Sequence, residues 1–299
     1  MSNMSDLSSL KSFKVEAVPS PVDPSGPRHV YSVSFNRPKY RNALDKNAWT
    51  ELRLIFDTLS DDPSCRCIVL SGGSSTCFSS GLDLSYAAEI WGGADEDEER
   101  DTARKGLRLN SMIAFLQDSV LSIERCQKPV IAAIHGACIG GALEIALACD
   151  VRLCASDAKF ALKEIDLAIA ADLGGIQRLP KKTASDSWAR EVTLTGRDFM
   201  AEEALRQGMV SGIYPSREGL MNKAIELADV IASKSPVAAA AAKRSFTFSE
   251  GRTTEEGLHF QRVLNMTALQ TDDAAVALQA MSSGGGKRGA PKRPIFANL

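Results

Sequence analysis

The sequence predicts an α/β fold built on a mainly parallel sheet. Three observations carry this: short β-rich runs alternate with stretches of helical spacing, glycine-rich turns separate some of them, and the pattern after Ser187 is helical. Strand–helix–strand units close right-handedly and cover the sheet with helices. At 299 residues the chain exceeds the usual domain length, yet one α/β core with a helical extension accommodates it.

The elements follow in order. Residues 1–12 are expected to be flexible. Phe13–Val18 and His29–Phe35, parted by the turn-rich Pro19–Pro27, read as a hairpin. From Asp45 onward Leu52, Ile55, Phe56 and Leu59 recur at helical spacing, and Cys67–Leu70 is a short buried strand closed by Gly72-Gly73. Asp95–Glu99 reads as a solvated acidic loop. Ile113, Leu116, Val120 and Ile123 mark a long amphipathic helix that ends before Lys128-Pro129. Val130–Ile134 is a strand, Gly141–Ala148 a helix and Val151–Cys154 a strand. Beyond Ser187, helices include Ala201–Gln207 and Ser235–Phe246, and no strand signal is strong. The resulting division is a core over 13–200, a helical region over 201–281 and a tail over 282–299.

Composition narrows the function. A net charge of −2 and a 24% charged content give no bulk field for nucleic acid. Seven scattered cysteines suit buried thiols in a reducing compartment rather than a disulfide framework. Cys65-x-Cys67 lacks the spacer of a metal knuckle and the three histidines lie far apart in sequence, so no metal is expected. The apolar stretch Val130–Cys149 is interrupted by His135, Glu144 and three glycines, which argues against a membrane span. The N-terminus, Met1–Ser12, resembles neither a signal peptide nor a mitochondrial leader.

Two glycine turns could carry chemistry. In Phe78-Ser79-Ser80-Gly81-Leu82-Asp83-Leu84, Gly81 can adopt angles that a side chain forbids and so turn the Leu82 amide into a cavity. Cys138-Ile139-Gly140-Gly141-Ala142-Leu143-Glu144 opens a helix, whose first N–H groups lack internal partners and lie at the positive end of the dipole. Two converging amides can stabilise a developing oxyanion, although each glycine pair taken alone reads more simply as the end of a strand. Glu144 lies in the first turn of that helix. Glu164 and Asp172 flank the apolar Leu167–Ala171, where desolvation raises a carboxyl pKa toward that of a neutral-pH proton carrier. The plainer roles are a helix-terminal charge for Glu144, an ion pair with Lys163 for Glu164 and an N-cap for Asp172. A Ser/His or Cys/His triad is poorly supported, because no G-x-S-x-G elbow is present.

Together these segments resemble the crotonase (enoyl-CoA hydratase/isomerase) superfamily. The resemblance runs from Phe13 to Met281 and includes Arg41-Asn42-Ala43-Leu44, Phe78–Leu84, Pro129–Gly136, Cys138–Glu144, Cys149–Arg152 and Gly174–Pro180. It implies a crotonase (ClpP-like) spiral of ββα units with a C-terminal helical trimerisation region, assembled as a homotrimer or hexamer. It assigns Leu82 and Gly141 to an oxyanion hole. It also implies an acyl-CoA thioester held near Asn42, Ala43, Ser79, Ser80, Gly81, Asp83 and Gly140, with no separate cofactor.

Lys163–Leu167 and Ala170–Gly174 are similar to the Δ3,5-Δ2,4-dienoyl-CoA isomerase branch, which has an acid where Asp172 stands. That branch usually has aspartate where this chain has Glu144, and glutamate there is the hydratase choice. The resemblance therefore implies isomerisation of a 3,5-dienoyl-CoA to a 2,4-dienoyl-CoA in fatty-acid β-oxidation, by Glu164 and Asp172 with Glu144 as auxiliary. The alternatives are an enoyl-CoA hydratase using Glu144 and Glu164, and a non-catalytic scaffold binding CoA, protein or RNA. Ala297-Asn298-Leu299 resembles a peroxisomal terminus, with Asn298 replacing its basic residue, so the expected address is the peroxisome, with cytosol or mitochondrion as alternatives. Lys287, Arg288, Lys292 and Arg293 are expected to keep that tail extended and exposed.

Overall fold

The structure, a computed structural model, describes residues 4–92, 101–283 and 294–299. Its main sheet has the order β1-β2-β3-β4-β6-β9. β1 (Phe13–Val18) and β2 (Val30–Phe35) form the expected antiparallel hairpin, and β3 (Cys67–Ser71), β4 (Val130–Ile134), β6 (Val151–Ala155) and β9 (Gly212–Tyr214) continue in parallel. β3 and β4, at the centre, are buried on both faces, as parallel strands between helices must be. Ile68 and Leu70 of β3 enter one apolar cluster, Cys67 and Val69 the other.

Helices hold the two clusters. α1 (Lys46–Asp61) starts where the Asp45 side chain accepts the Ala48 amide, and buries Leu52, Ile55, Phe56 and Leu59. α2 (Leu84–Gly92) follows the first glycine turn, and α3 (Thr102–Arg125), the expected amphipathic helix, packs on α1. α4 (Gly141–Ala148) is buried throughout. The short α5 (Gly175–Arg178), α6 (Asp186–Thr195) and α7 (Ala201–Arg206) follow. α8 (Arg217–Ala232) covers the opposite face of the sheet with Leu220, Ala224, Ala228 and Ala232, whose small side chains admit a close approach. α9 (Pro236–Ser249), α10 (Thr254–Ala268) and α11 (Asp272–Ser283) form the helical end.

A second sheet was not apparent in the sequence. β5 (Ala137–Ile139), β7 (Lys159–Ala161) and β8 (Phe199–Met200) form it, with β5–β7 parallel and β7–β8 antiparallel. These strands and β9 have two or three residues each, too few to show a period, and their pairing is made by tertiary contacts.

The two chain ends differ from expectation. Residues 4–9 form a 3-10 turn, and Leu7 is buried in the main core. At the other end the tail is docked: Phe296 is buried, and Arg66 donates to the Asn298 side chain at 2.7 and 3.0 Å and to the Phe296 carbonyl at 2.6 Å. Ala297, Asn298 and Leu299 stay exposed overall. Asp95–Glu99, Lys287, Arg288, Lys292 and Arg293 lie outside the described residues. Among the described residues no helix is long and apolar enough to cross a membrane.

Candidate active site

The two glycine turns meet through the strands that carry them. Ser79 bridges to Cys138 and the Gly81 carbonyl accepts the Leu44 amide, so the first turn is pinned between β5 and the start of α1. Gly81 has φ +88° and a Cβ there would fall 2.6 Å from the Ile139 carbonyl, so only glycine lets the two turns touch. Among the described residues, the amides of Leu82 and Gly141 have no protein acceptor. The Gly141 amide stands at the start of α4, where the helix itself supplies none.

Both turns open on one cavity of about 470 Å³. Ser80, Gly81, Leu82, Gly140 and Gly141 line one side; Glu144 reaches it from the first turn of α4, and Glu164 and Asp172 from later segments. Its far wall is apolar, formed by α3 residues Leu109, Met112, Ile113 and Leu116 with Leu167 and Ile169. Trp49 of α1 closes it beside Gly141. This wall leaves no mark on the sequence beyond the apolar stripe of α3, which serves the core and the cavity at once.

The three acids differ in surroundings. Glu144 is 1% exposed, and its Oε1 accepts the amides of Leu173 at 3.0 Å and Gly175 at 2.7 Å. Burial pushes its pKa up to about 8, the neighbouring charge of Glu164 adds to this, and the Gly175 and Leu173 amides oppose it. Glu164 begins a 3-10 turn; burial raises its pKa to about 7, its own amide opposes this and Asp172 reinforces it. Its Oε2 is buried without a hydrogen-bond partner among the described residues, and its carboxyl lies against Gly140. Burial also raises the pKa of Asp172, opposed by its own amide. Burial thus raises the pKa of all three carboxyls, and neighbouring charges raise those of Glu144 and Glu164 further.

Glu144 stands in the first turn of α4, as its plainer reading has it, but the plainer readings of Glu164 and Asp172 do not hold. Lys163 pairs with Asp166 at 3.4 Å and Asp198 at 3.3 Å rather than with Glu164. The residue that caps α5 is Gly174, not Asp172.

Of the residues expected around CoA, Ser80, Gly81 and Gly140 line the cavity, and the side chains of Asn42, Ser79 and Asp83 turn into the protein. Asn42 Nδ2 donates to the carbonyls of Gly72, Cys77 and Phe78, and Ser79 Oγ donates to the Asn42 carbonyl at 2.7 Å. Asp83 pairs with Arg37 at 2.9 Å, and Arg37 also donates to the Ala43 carbonyl. These side chains brace the loop that presents Leu82. Polar residues in a loop motif look alike in sequence whether they face a ligand or the interior.

Against known proteins, the model of the enoyl-CoA hydratase/isomerase family matches residues 26–282. The chain belongs to this family. Within it, a Delta(3,5)-Delta(2,4)-dienoyl-CoA isomerase of Rattus norvegicus, named as mitochondrial, is 42% identical over 257 residues, covering 86% of this chain and 77% of the relative. A peroxisomal Delta(3,5)-Delta(2,4)-dienoyl-CoA isomerase of Arabidopsis thaliana is 37% identical, covering 90% and 93%. Among solved structures, an enoyl-CoA hydratase from Bacillus anthracis superposes with a TM-score of 0.80 at 28% identity, over 96% of this chain and 99% of that one. The crotonase fold expected from the sequence is thereby established.

Proposed function

We propose that this family member is a dienoyl-CoA isomerase, converting a 3,5-dienoyl-CoA to the 2,4-dienoyl-CoA in fatty-acid oxidation. The thioester oxygen lies between the Leu82 and Gly141 amides, which stabilise the charge it gains as the C2 proton leaves. Glu164, whose carboxyl lies against Gly140 beside the Gly141 amide, takes that proton as a carboxylate. The electron pair spreads over C2, C4 and C6 of the dienolate. Asp172, entering as the carboxylic acid, gives its proton to C6, which leaves double bonds at C2 and C4. Each acid finishes in the other's starting form, so a proton relay resets the pair. The transfer uses only these groups and needs no separate cofactor.

The observation that carries this reading is the third carboxyl, Asp172, on the same cavity as Glu144 and Glu164. Hydration needs two acids around a water, and here Glu144 Oε1 already serves two loop amides. That Glu144 and Glu164 face one cavity supports hydration as the second reading. The Asp172→Asn variant separates them: loss of dienoyl isomerisation with hydration of a 2-enoyl-CoA retained supports the isomerase, and unchanged isomerisation refutes it.

Assembly as a homotrimer, or as a hexamer made of two trimers, belongs to the same proposal. Phe246, Leu258, Met266, Leu278 and Met281 expose apolar surface on α9, α10 and α11, and Leu269 does so between the last two. Light scattering that returns a monomer mass refutes it. The proposed address is the peroxisome. Its test is a fluorescent fusion with or without Leu299, and identical diffuse signals refute it.

A further inference from the structure

The loop that carries Asp172 is gripped from three helices. Gln117 on α3 donates through Nε2 to the Asp172 carbonyl at 2.7 Å. Arg178 of α5 donates through Nη1 to the next carbonyl, that of Leu173, at 2.8 Å. From α4, Glu144 accepts the Leu173 and Gly175 amides. Four backbone groups around one residue are thus held by three side chains. The Asp172 carboxyl, by contrast, has no side-chain partner among the described residues, and its one bond is to its own amide.

Arg178 is itself fixed in place. It meets Glu124 in a two-point pair, Nε to Oε1 at 2.8 Å and Nη2 to Oε2 at 3.0 Å, and its side chain is 8% exposed. Glu124 follows Gln117 by two helical turns, so both rise from one face of α3. The guanidinium is seated against the loop backbone: Gly174 has φ +109°, and a Cβ there would fall 1.7 Å from Nη1. Hydrogen-bonded side chains, Arg178 and Glu144 buried and Gln117 half-buried, fix the dihedrals on either side of one acid.

We propose that Gln117 and Arg178 are positioning residues for Asp172, with Glu124 orienting Arg178, and that they fix the distance over which Asp172 delivers its proton to C6. The proposal rests on the isomerase reading. Neither residue touches the substrate, and the clamp acts through the backbone of Asp172 and Leu173. Its work is therefore confined to the step that Asp172 performs, and the C2 step of Glu164 is independent of it.

The test uses the full-length enzyme, the variants Gln117→Met and Arg178→Lys, and two readouts. One is conjugation of 3,5-octadienoyl-CoA; the other is exchange of the C2 hydrogens of octanoyl-CoA with D2O, which needs the oxyanion hole and Glu164. Misplacing a reacting group by about 1 Å costs about 100-fold, so kcat for isomerisation should fall about 10- to 100-fold, with KM and C2 exchange within about threefold of wild type. Gln117→Met keeps the shape and removes only the donor, which keeps the test sound if Arg178→Lys folds poorly. Unchanged isomerisation overturns the proposal, and so does an equal loss of both activities, which marks a merely structural role. Wild-type enzyme that exchanges C2 hydrogens without forming the conjugated product overturns the isomerase reading and the proposal with it. That outcome is read before any variant is made.

Discussion

Replacing Glu144 with glutamine should stabilise the protein more at pH 8 than at pH 5. Glu144 is almost wholly buried, and its pKa rises from an ordinary 4.5 to about 8 on folding. A carboxyl with a raised folded pKa contributes its full stability below the unfolded pKa, and that contribution is lost as pH climbs through the folded one. At ~1.4 kcal/mol per unit, the loss between about pH 5 and pH 8 has a ceiling of about 4 kcal/mol, which Glu164 and Asp172 share. Glutamine keeps an oxygen for the Leu173 and Gly175 amides and cannot ionise. Its NH2 adds a cost of about 1–3 kcal/mol that does not vary with pH, so the diagnostic quantity is the pH dependence of the difference. Urea unfolding of both proteins at fixed concentration, at the two pH values, measures it. A difference that stays flat or shrinks toward pH 8 refutes the idea that buried charge on Glu144 is the dominant local cost.

Gly81→Ala should lower kcat about 100- to 1000-fold with substrate binding largely kept, because the added Cβ at 2.6 Å from the Ile139 carbonyl must displace the Leu82 amide; steady-state kinetics beside a CoA titration check it. For wild type, kcat/KM for isomerisation should rise as Glu164 loses its proton near pH 7 and fall again as Asp172 loses the proton it must donate. A pH profile of Glu164→Gln should lack the rising limb and show greatly reduced turnover. Arg66→Ala should free Phe296 and Asn298 from their bonds at 2.6, 2.7 and 3.0 Å, and faster trypsin cleavage near the tail is the check.

Much of the core was readable from residues because its elements are long enough to show a period. α1 and α3 present apolar residues at helical spacing, and β3 and β4 are apolar runs bounded by glycine and proline. β5, β7, β8 and β9 escaped because two or three residues carry no period and their pairing is decided by distant partners. Leu82, Gly141, Glu144, Glu164 and Asp172 were reachable because glycine turns and acids in apolar settings leave a mark on the sequence. The clamp of Gln117, Glu124 and Arg178 leaves none, since a polar residue on an amphipathic helix looks the same whether it faces water or grips a loop. Asn42, Ser79 and Asp83 show the converse: their motif was visible, but the direction of their side chains was set by three-dimensional packing. The tail reads as basic and solvated, and only the fold brings Arg66 against Phe296 and Asn298.

The most direct test of the whole account is the ultraviolet spectrum of the purified protein incubated with 3,5-octadienoyl-CoA, run beside a 2-enoyl-CoA. The mechanism built on Leu82, Gly141, Glu164 and Asp172 requires a conjugated 2,4-dienoyl thioester to appear with the first substrate, and Asp172→Asn to abolish it. Rapid hydration of the 2-enoyl-CoA with no conjugated product from the dienoyl substrate would contradict it.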